Sequence, residues 1–185
     1  MDNKDKWELF KKELGMIRDE KIRQFAMNAI AILPDYFFTM AASTTAKYHP
    51  AFALGDGGLV RHTRAVVQWI DEFSRMEMWH LTGEERDLAI ASALVHDGWK
   101  KGDGAGKWTV DNHPVYAVNK MKEDEILSAL LPDEQLETIF GCVASHMGQW
   151  NTDKAGNVIM PKPSSKIEKL LHFADFCASR RIEVE

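Results

Sequence analysis

The stretch "ASALVHDGWKK", residues 91–101, places the strongest constraint on the fold. Ala91, Ala93, Leu94 and Val95 end an apolar helix, and His96 and Asp97 follow directly. An imidazole or carboxylate taken out of water without a partner costs on the order of several kcal/mol. A fold that buries this helix must therefore turn its end to water or give the pair a strong partner. A metal ion is one such partner, so the rest of the chain has to be searched for further ligands.

The pattern around this stretch predicts an all-α chain. Residues 5–14 and 20–33 are amphipathic, and Pro34 separates the second from "DYFFTMAA". A loop with Pro50 and three glycines spans 43–58, and a long helix follows over about 59–78. Thr82 and Glu85 have capping-box spacing at the start of the helix that ends at His96. A glycine-rich loop covers 100–112, and Pro114 suits the first turn of the next helix. Further helices are expected over about 133–146 and 164–181, the chain then fraying in "RRIEVE". Residues 150–161 resemble a small β-hairpin, with Val158 and Ile159 following an Ala-Gly-Asn turn. The expected architecture is one compact helical bundle over 1–185, with an N-terminal helical extension to about residue 42 and a core over about 43–181.

Composition sets limits on function. With 45% apolar and 28% charged residues, the chain is that of a soluble globular domain. A net charge of −5 argues against a general nucleic-acid coat, though not against a local basic cleft. No apolar run reaches the ~18 residues needed to span a bilayer, so no membrane association is expected. Cys142 and Cys177 lack CxxC spacing and read as buried reduced thiols, consistent with a cytoplasmic protein.

Three further helices place ligand-type residues on apolar stripes. His62 falls among Leu59, Val66, Trp69, Ile70 and Phe73; His146 among Ile139, Cys142, Val143 and Trp150; Asp175 among Ile167, Leu171, Ala174 and Ala178. One such histidine is ordinarily a satisfied core residue. Three ligand-type residues of this kind, His62, His146 and Asp175, together with His96-Asp97 would be expensive to bury unless a cation organised them. Mixed nitrogen and oxygen ligands suit a divalent ion, namely Mn, Fe, Co, Ni or Mg.

"GGLVRHT", "ALVHDGWKK" and "LLHFADFCASR" resemble the signature of the HD superfamily of metal-dependent phosphohydrolases, His … His-Asp … Asp. The resemblance runs over about 43–181 and implies that His62, His96, Asp97 and Asp175 hold a metal ion. "VDNHPVYA" and "VASHMGQW" are similar to the intervening motifs of two-metal members, which would make His113 and His146 ligands of a second ion bridged by Asp97. Met147 stands where several such relatives have a second histidine, and a thioether is a poor ligand for a hard cation, so one or two ions remain open.

Lys100 follows as in the HDxxK form frequent in the superfamily, and would offset charge on a phosphate. "AKYHPAF" is similar to the HD domains of 3′-to-5′ exoribonucleases, and makes Lys47, His49 and Arg61 candidates for contacting phosphate or ribose. Trp99, Trp108 and Trp150 adjoin the loops expected to rim the cleft, whereas His80 and His172 fall outside the expected site. The implied activity is hydrolysis of a phosphoester or phosphoanhydride in a nucleotide or short oligonucleotide, with Asp97 and Lys100 central to catalysis. One alternative is an exonuclease-like phosphodiesterase on single strands, with a basic groove drawn from Lys47, Lys100, Lys101, Lys107 and Lys154. The other is a non-catalytic nucleotide-sensing module. Assembly into a homo-oligomer and protein partners are left open by the sequence.

Overall fold

The computed structural model describes residues 1–43, 47–104, 106 and 108–181. Its helices are α1 (Asn3–Leu9), α2 (Lys11–Leu14), α3 (Glu20–Ala31), α4 (Tyr36–Thr39), α5 (Gly58–Ser74), α6 (Gly83–Val95), α7 (His113–Lys122), α8 (Glu125–Leu130), α9 (Asp133–Ser145) and α10 (Lys166–Ala178). Short 3-10 turns lie at Ala51–Ala53 and Glu77–Trp79. The chain is all-α, and no helix among the described residues is long and apolar enough to cross a membrane.

Helix α6 is the axis of the bundle. Beyond its first turn every residue from Asp87 to Val95 is buried, so this part of the helix has no solvent face and must be enclosed on all sides. It packs against α3, α5, α9 and α10. Residues 1–42 are not peripheral to this arrangement, since one buried core runs from Phe10 to Ala178. The buried Asp87 carboxylate ties α6 to the segment before α3 by accepting the N–H groups of Arg18 and Asp19, each at 2.8 Å.

Both capping boxes are complete. At the start of α6 the Glu85 N–H donates to Thr82 Oγ1 and the Thr82 N–H to Glu85; Ser165 and Glu168 form the same pair at α10. Removing a side-chain cap costs about 1 kcal/mol, and in a chain this size about 2–4 °C of Tm. Thr82→Ala is expected to lower the melting temperature by that amount, as thermal circular dichroism would show; an unchanged Tm would mean that α6 is held by packing alone.

The structure departs from the periodicity in several places. The expected helix over 5–14 breaks at Phe10 (φ −118°, ψ 17°), whose ring is buried beside Phe37. The Leu9 carbonyl at the break accepts from the Arg64 guanidinium, so the interruption leaves no orphaned acceptor there. Pro34 does divide two helices, and Lys6 Nζ satisfies the carbonyls of Ala31 (2.9 Å) and Leu33 (2.7 Å) at the end of the first. Helix α8 is absent from the periodicity reading because its six residues are too few to display a stripe. The expected hairpin at 150–161 reduces to one antiparallel bridge, Thr152–Val158, closed by the Asp153 carboxylate accepting from the N–H groups of Ala155 and Asn157. Trp69 lies off its stripe, 41% exposed. Cys142 is buried, which pushes its thiol up to about 12, whereas Cys177 is only partly buried.

Candidate metal centre

Helix ends deliver most of the polar cluster. His62 lies in the second turn of α5, and His96 and His146 are the residues that close α6 and α9. His113 opens α7, Asp97 follows His96, and Asp175 lies in α10. The four histidines are at most 2% exposed. Three of them share one local device: Nδ1 of His96, His113 and His146 lies 2.7, 3.0 and 2.8 Å from the carbonyls of Ala93, Val110 and Val143. A carbonyl can only accept, so Nδ1 carries the proton and Nε2 presents a lone pair. That tautomer is the one a metal ligand needs.

Those Nε2 atoms face carboxylate oxygens. Asp97 Oδ2 lies 3.9 Å from His62 Nε2 and 3.7 Å from His96 Nε2, while Asp97 Oδ1 lies 3.0 Å from His113 Nε2 and 3.6 Å from His146 Nε2. Asp175 Oδ1 is 3.0 Å from His62 Nε2 and 3.7 Å from His96 Nε2. Despite these separations, Nε2 of His62, His96 and His113 makes no hydrogen bond among the described residues. A lone pair set against an anionic oxygen is repulsive unless a cation lies between them. Two donors each ~2.1 Å from one ion are about 3–3.5 Å apart, the spacing of the closest pairs. Two sets of donor atoms, His62/His96/Asp175 and His96/Asp97/His146, lie mutually within 4.8 Å. The residues therefore fit a divalent cation, and the two oxygens of Asp97 face two different histidine groups.

Electrostatics favour ionised acids here. Burial works to raise the Asp97 carboxyl, but the Lys100 ammonium leads the opposing charge that holds it well below the usual range. Lys100 Nζ sits 2.5 Å from Asp97 Oδ2. His49 is pushed down to about 4 by burial and by the nearby His62 and Lys100, and is thus a neutral ring near the cluster; its ring centre is 5.4 Å from that of His62.

A cleft of about 420 Å³ opens onto the cluster, with Asp97, Asp175, Lys100 and His49 on its walls. Lys47 lines an adjoining pocket. Arg61, expected to touch substrate, lines neither: its guanidinium donates to the carbonyls of Phe52, Leu54 and Asp56 and secures the turn before α5. Lys101 and Lys154 also line neither cavity, and Lys107 lies outside the described residues. Trp150 is on the cleft wall, 44% exposed, whereas Trp99 is buried packing and Trp108 is exposed and does not line the cleft. Met147 lines the cleft as well.

Several residues of this wall escaped the sequence, His172, Arg180 and Tyr48 among them. His172, one position off the α10 stripe, has its Nδ1–H on the His146 carbonyl at 2.7 Å. Its ring fills the space over Gly148, where a Cβ would lie 2.2 Å away. Arg180, within the expected fraying end, stacks on Phe176 at 4.2 Å, and Tyr48 lies beside it at 5.5 Å. The position of Arg180 five residues beyond Asp175 was the available signal. Residues 182–185 of that end lie outside the described residues. No protein-family model, curated protein or solved structure matches this chain.

Proposed function

We propose that the protein is an HD-type metal-dependent phosphohydrolase that cleaves a phosphoester or phosphoanhydride bond in a nucleotide or short oligonucleotide. The observation that carries this is the division of Asp97, Oδ2 toward His62 and His96 and Oδ1 toward His113 and His146. His62, His96, Asp175 and Asp97 Oδ2 would hold one divalent ion, and His113, His146 and Asp97 Oδ1 a second. Ions bound there supply Lewis acidity toward a phosphoryl oxygen and lower the pKa of water. The chain contributes fixed lone pairs, buried so that bulk water does not compete for them. Lys100, on the cleft and tied to Asp97, offsets charge that develops on the phosphate.

The exonuclease-like alternative needs a continuous basic groove, and of its described lysines only Lys47 and Lys100 line these cavities. A cytoplasmic setting belongs to the same proposal, supported by the two free thiols. A ligand present at 100 times its Kd stabilises by about 2.7 kcal/mol, or about 5–10 °C in a chain of this size. Adding Mn, Co, Ni or Mg to chelator-treated protein is expected to raise Tm by that amount and to start hydrolysis within a panel of nucleotides, cyclic nucleotides and short oligonucleotides. Neither stabilisation nor hydrolysis with any ion would overturn the proposal.

A further inference from the structure

We propose that the cleft continues past the metal cluster into an anion subsite, formed by Lys47, Arg180 and Arg181 against Tyr48, that holds a second phosphate group of the substrate. The inference rests on the phosphohydrolase reading of the neighbouring cluster.

A pocket of about 330 Å³ is lined, among the described residues, by Lys47, Tyr48, Arg180 and Arg181 and by no carboxylate. It shares Tyr48 and Arg180 with the 420 Å³ cleft that contains Asp97 and Asp175, so the two adjoin. In a chain of net charge −5, the Lys47 and Arg180 cations meet in this pocket, and neither has an acidic partner among the described residues. Like charges gathered this way repel unless an anion joins them.

The arrangement is built rather than incidental. The Arg180 guanidinium lies over Phe176 at 4.2 Å and within 5.5 and 5.6 Å of the Tyr48 and Trp150 rings, while Lys47 Nζ lies 5.1 Å from Tyr48. The Arg181 N–H donates to the Tyr48 carbonyl at 2.8 Å and so joins the end of α10 to the segment that carries Lys47. A stacked guanidinium keeps its rim of N–H donors for a ligand, and Arg180 Nε is buried without a hydrogen-bond partner. Such a fork matches phosphate bidentately. Because Lys101 and Lys154 line neither cavity, the cations that do line them fit phosphates close together, as in a nucleoside di- or triphosphate, better than a longer strand.

The test uses non-hydrolysable probes with the metal-loaded full chain: methylphosphonate, methylenediphosphonate and a methylene-bridged nucleoside triphosphate, each titrated calorimetrically. Lys47→Ala and Arg180→Met, the second keeping much of the packing, are expected to weaken both multi-phosphate probes by about ten-fold or more while methylphosphonate changes far less. Preference for the nucleotide probe over methylenediphosphonate would assign the phosphates to a nucleotide; equal binding would assign them to free polyphosphate, and either result keeps the subsite. If the variants leave the ratio of multi- to single-phosphate affinity unchanged, chelation by the ions explains the preference and the subsite is overturned. Failure of the hydrolase reading looks different: the variants alter the ratio, yet no ester is hydrolysed in a way that Asp97→Ala abolishes.

Discussion

Asp97→Ala is expected to lose at least on the order of 10³-fold in the proposed hydrolysis and most of the proposed metal, the largest effect on that activity predicted for a single substitution. The carboxylate is the one group whose two oxygens face both histidine sets, at 3.0 Å from His113 Nε2 on one side and 3.7 Å from His96 Nε2 on the other. Its removal takes a ligand from each set and strands the Lys100 ammonium, which now pairs with Oδ2. Two consequences of the change need separating. Breaking a buried charge pair by deleting one partner costs about 3–5 kcal/mol of stability. Asp97→Asn keeps the size and much of the packing, so metal content measured on that variant reports ligation rather than folding. The expected result is a folded Asp97→Asn protein with little metal and little activity. Full metal occupancy and undiminished hydrolysis in both variants would remove Asp97 from the centre.

The polar cluster was legible because it contradicts its surroundings. His62, His96, His146 and Asp175 interrupt apolar stripes, and a periodic pattern exposes any residue that breaks it. His113 had no stripe to interrupt, and only the resemblance pointed to it. Long helices with complete caps, α6 above all, were visible for the same reason of periodicity. Arg180, His172 and Tyr48 were not visible, because they reach the cleft through tertiary placement. His172 is fixed by the carbonyl of a residue 26 positions earlier, and the end of α10 is joined to Tyr48 by one backbone bond. Arg61 misled in the opposite direction. Its neighbour His62 sits in the cluster, but adjacent helical side chains point about 100° apart, and the guanidinium went to three local carbonyls instead.

Gly58→Ala is expected to cost about 3 kcal/mol, or about 6–12 °C of Tm, the largest stability effect predicted for a single added methyl. Gly58 opens α5 in a closely packed corner, and a Cβ there would lie 2.3 Å from the Ala53 carbonyl oxygen, 2.8 Å from its carbon and 3.1 Å from Ala41 Cα. These are backbone atoms, so no rotamer change relieves the contact. The same Ala53 oxygen accepts the Ala42 N–H at 3.0 Å, and the flanking Gly57 and Leu59 N–H groups donate to the Thr39 and Met40 carbonyls, each at 2.9 Å. Making room for the methyl therefore breaks at least one bond of this corner or shifts the first turn of α5. His62 is one turn further along that helix, so metal affinity is expected to fall together with stability. Gly83 is the matched comparison. It opens α6 with nothing within 4 Å of an added Cβ, and Gly83→Ala is expected to be neutral or to stabilise by up to about 1 kcal/mol. Thermal melts of the two variants beside the parent protein decide the matter: a Gly58→Ala protein melting within a degree of the parent would mean that the corner yields easily and does not position His62.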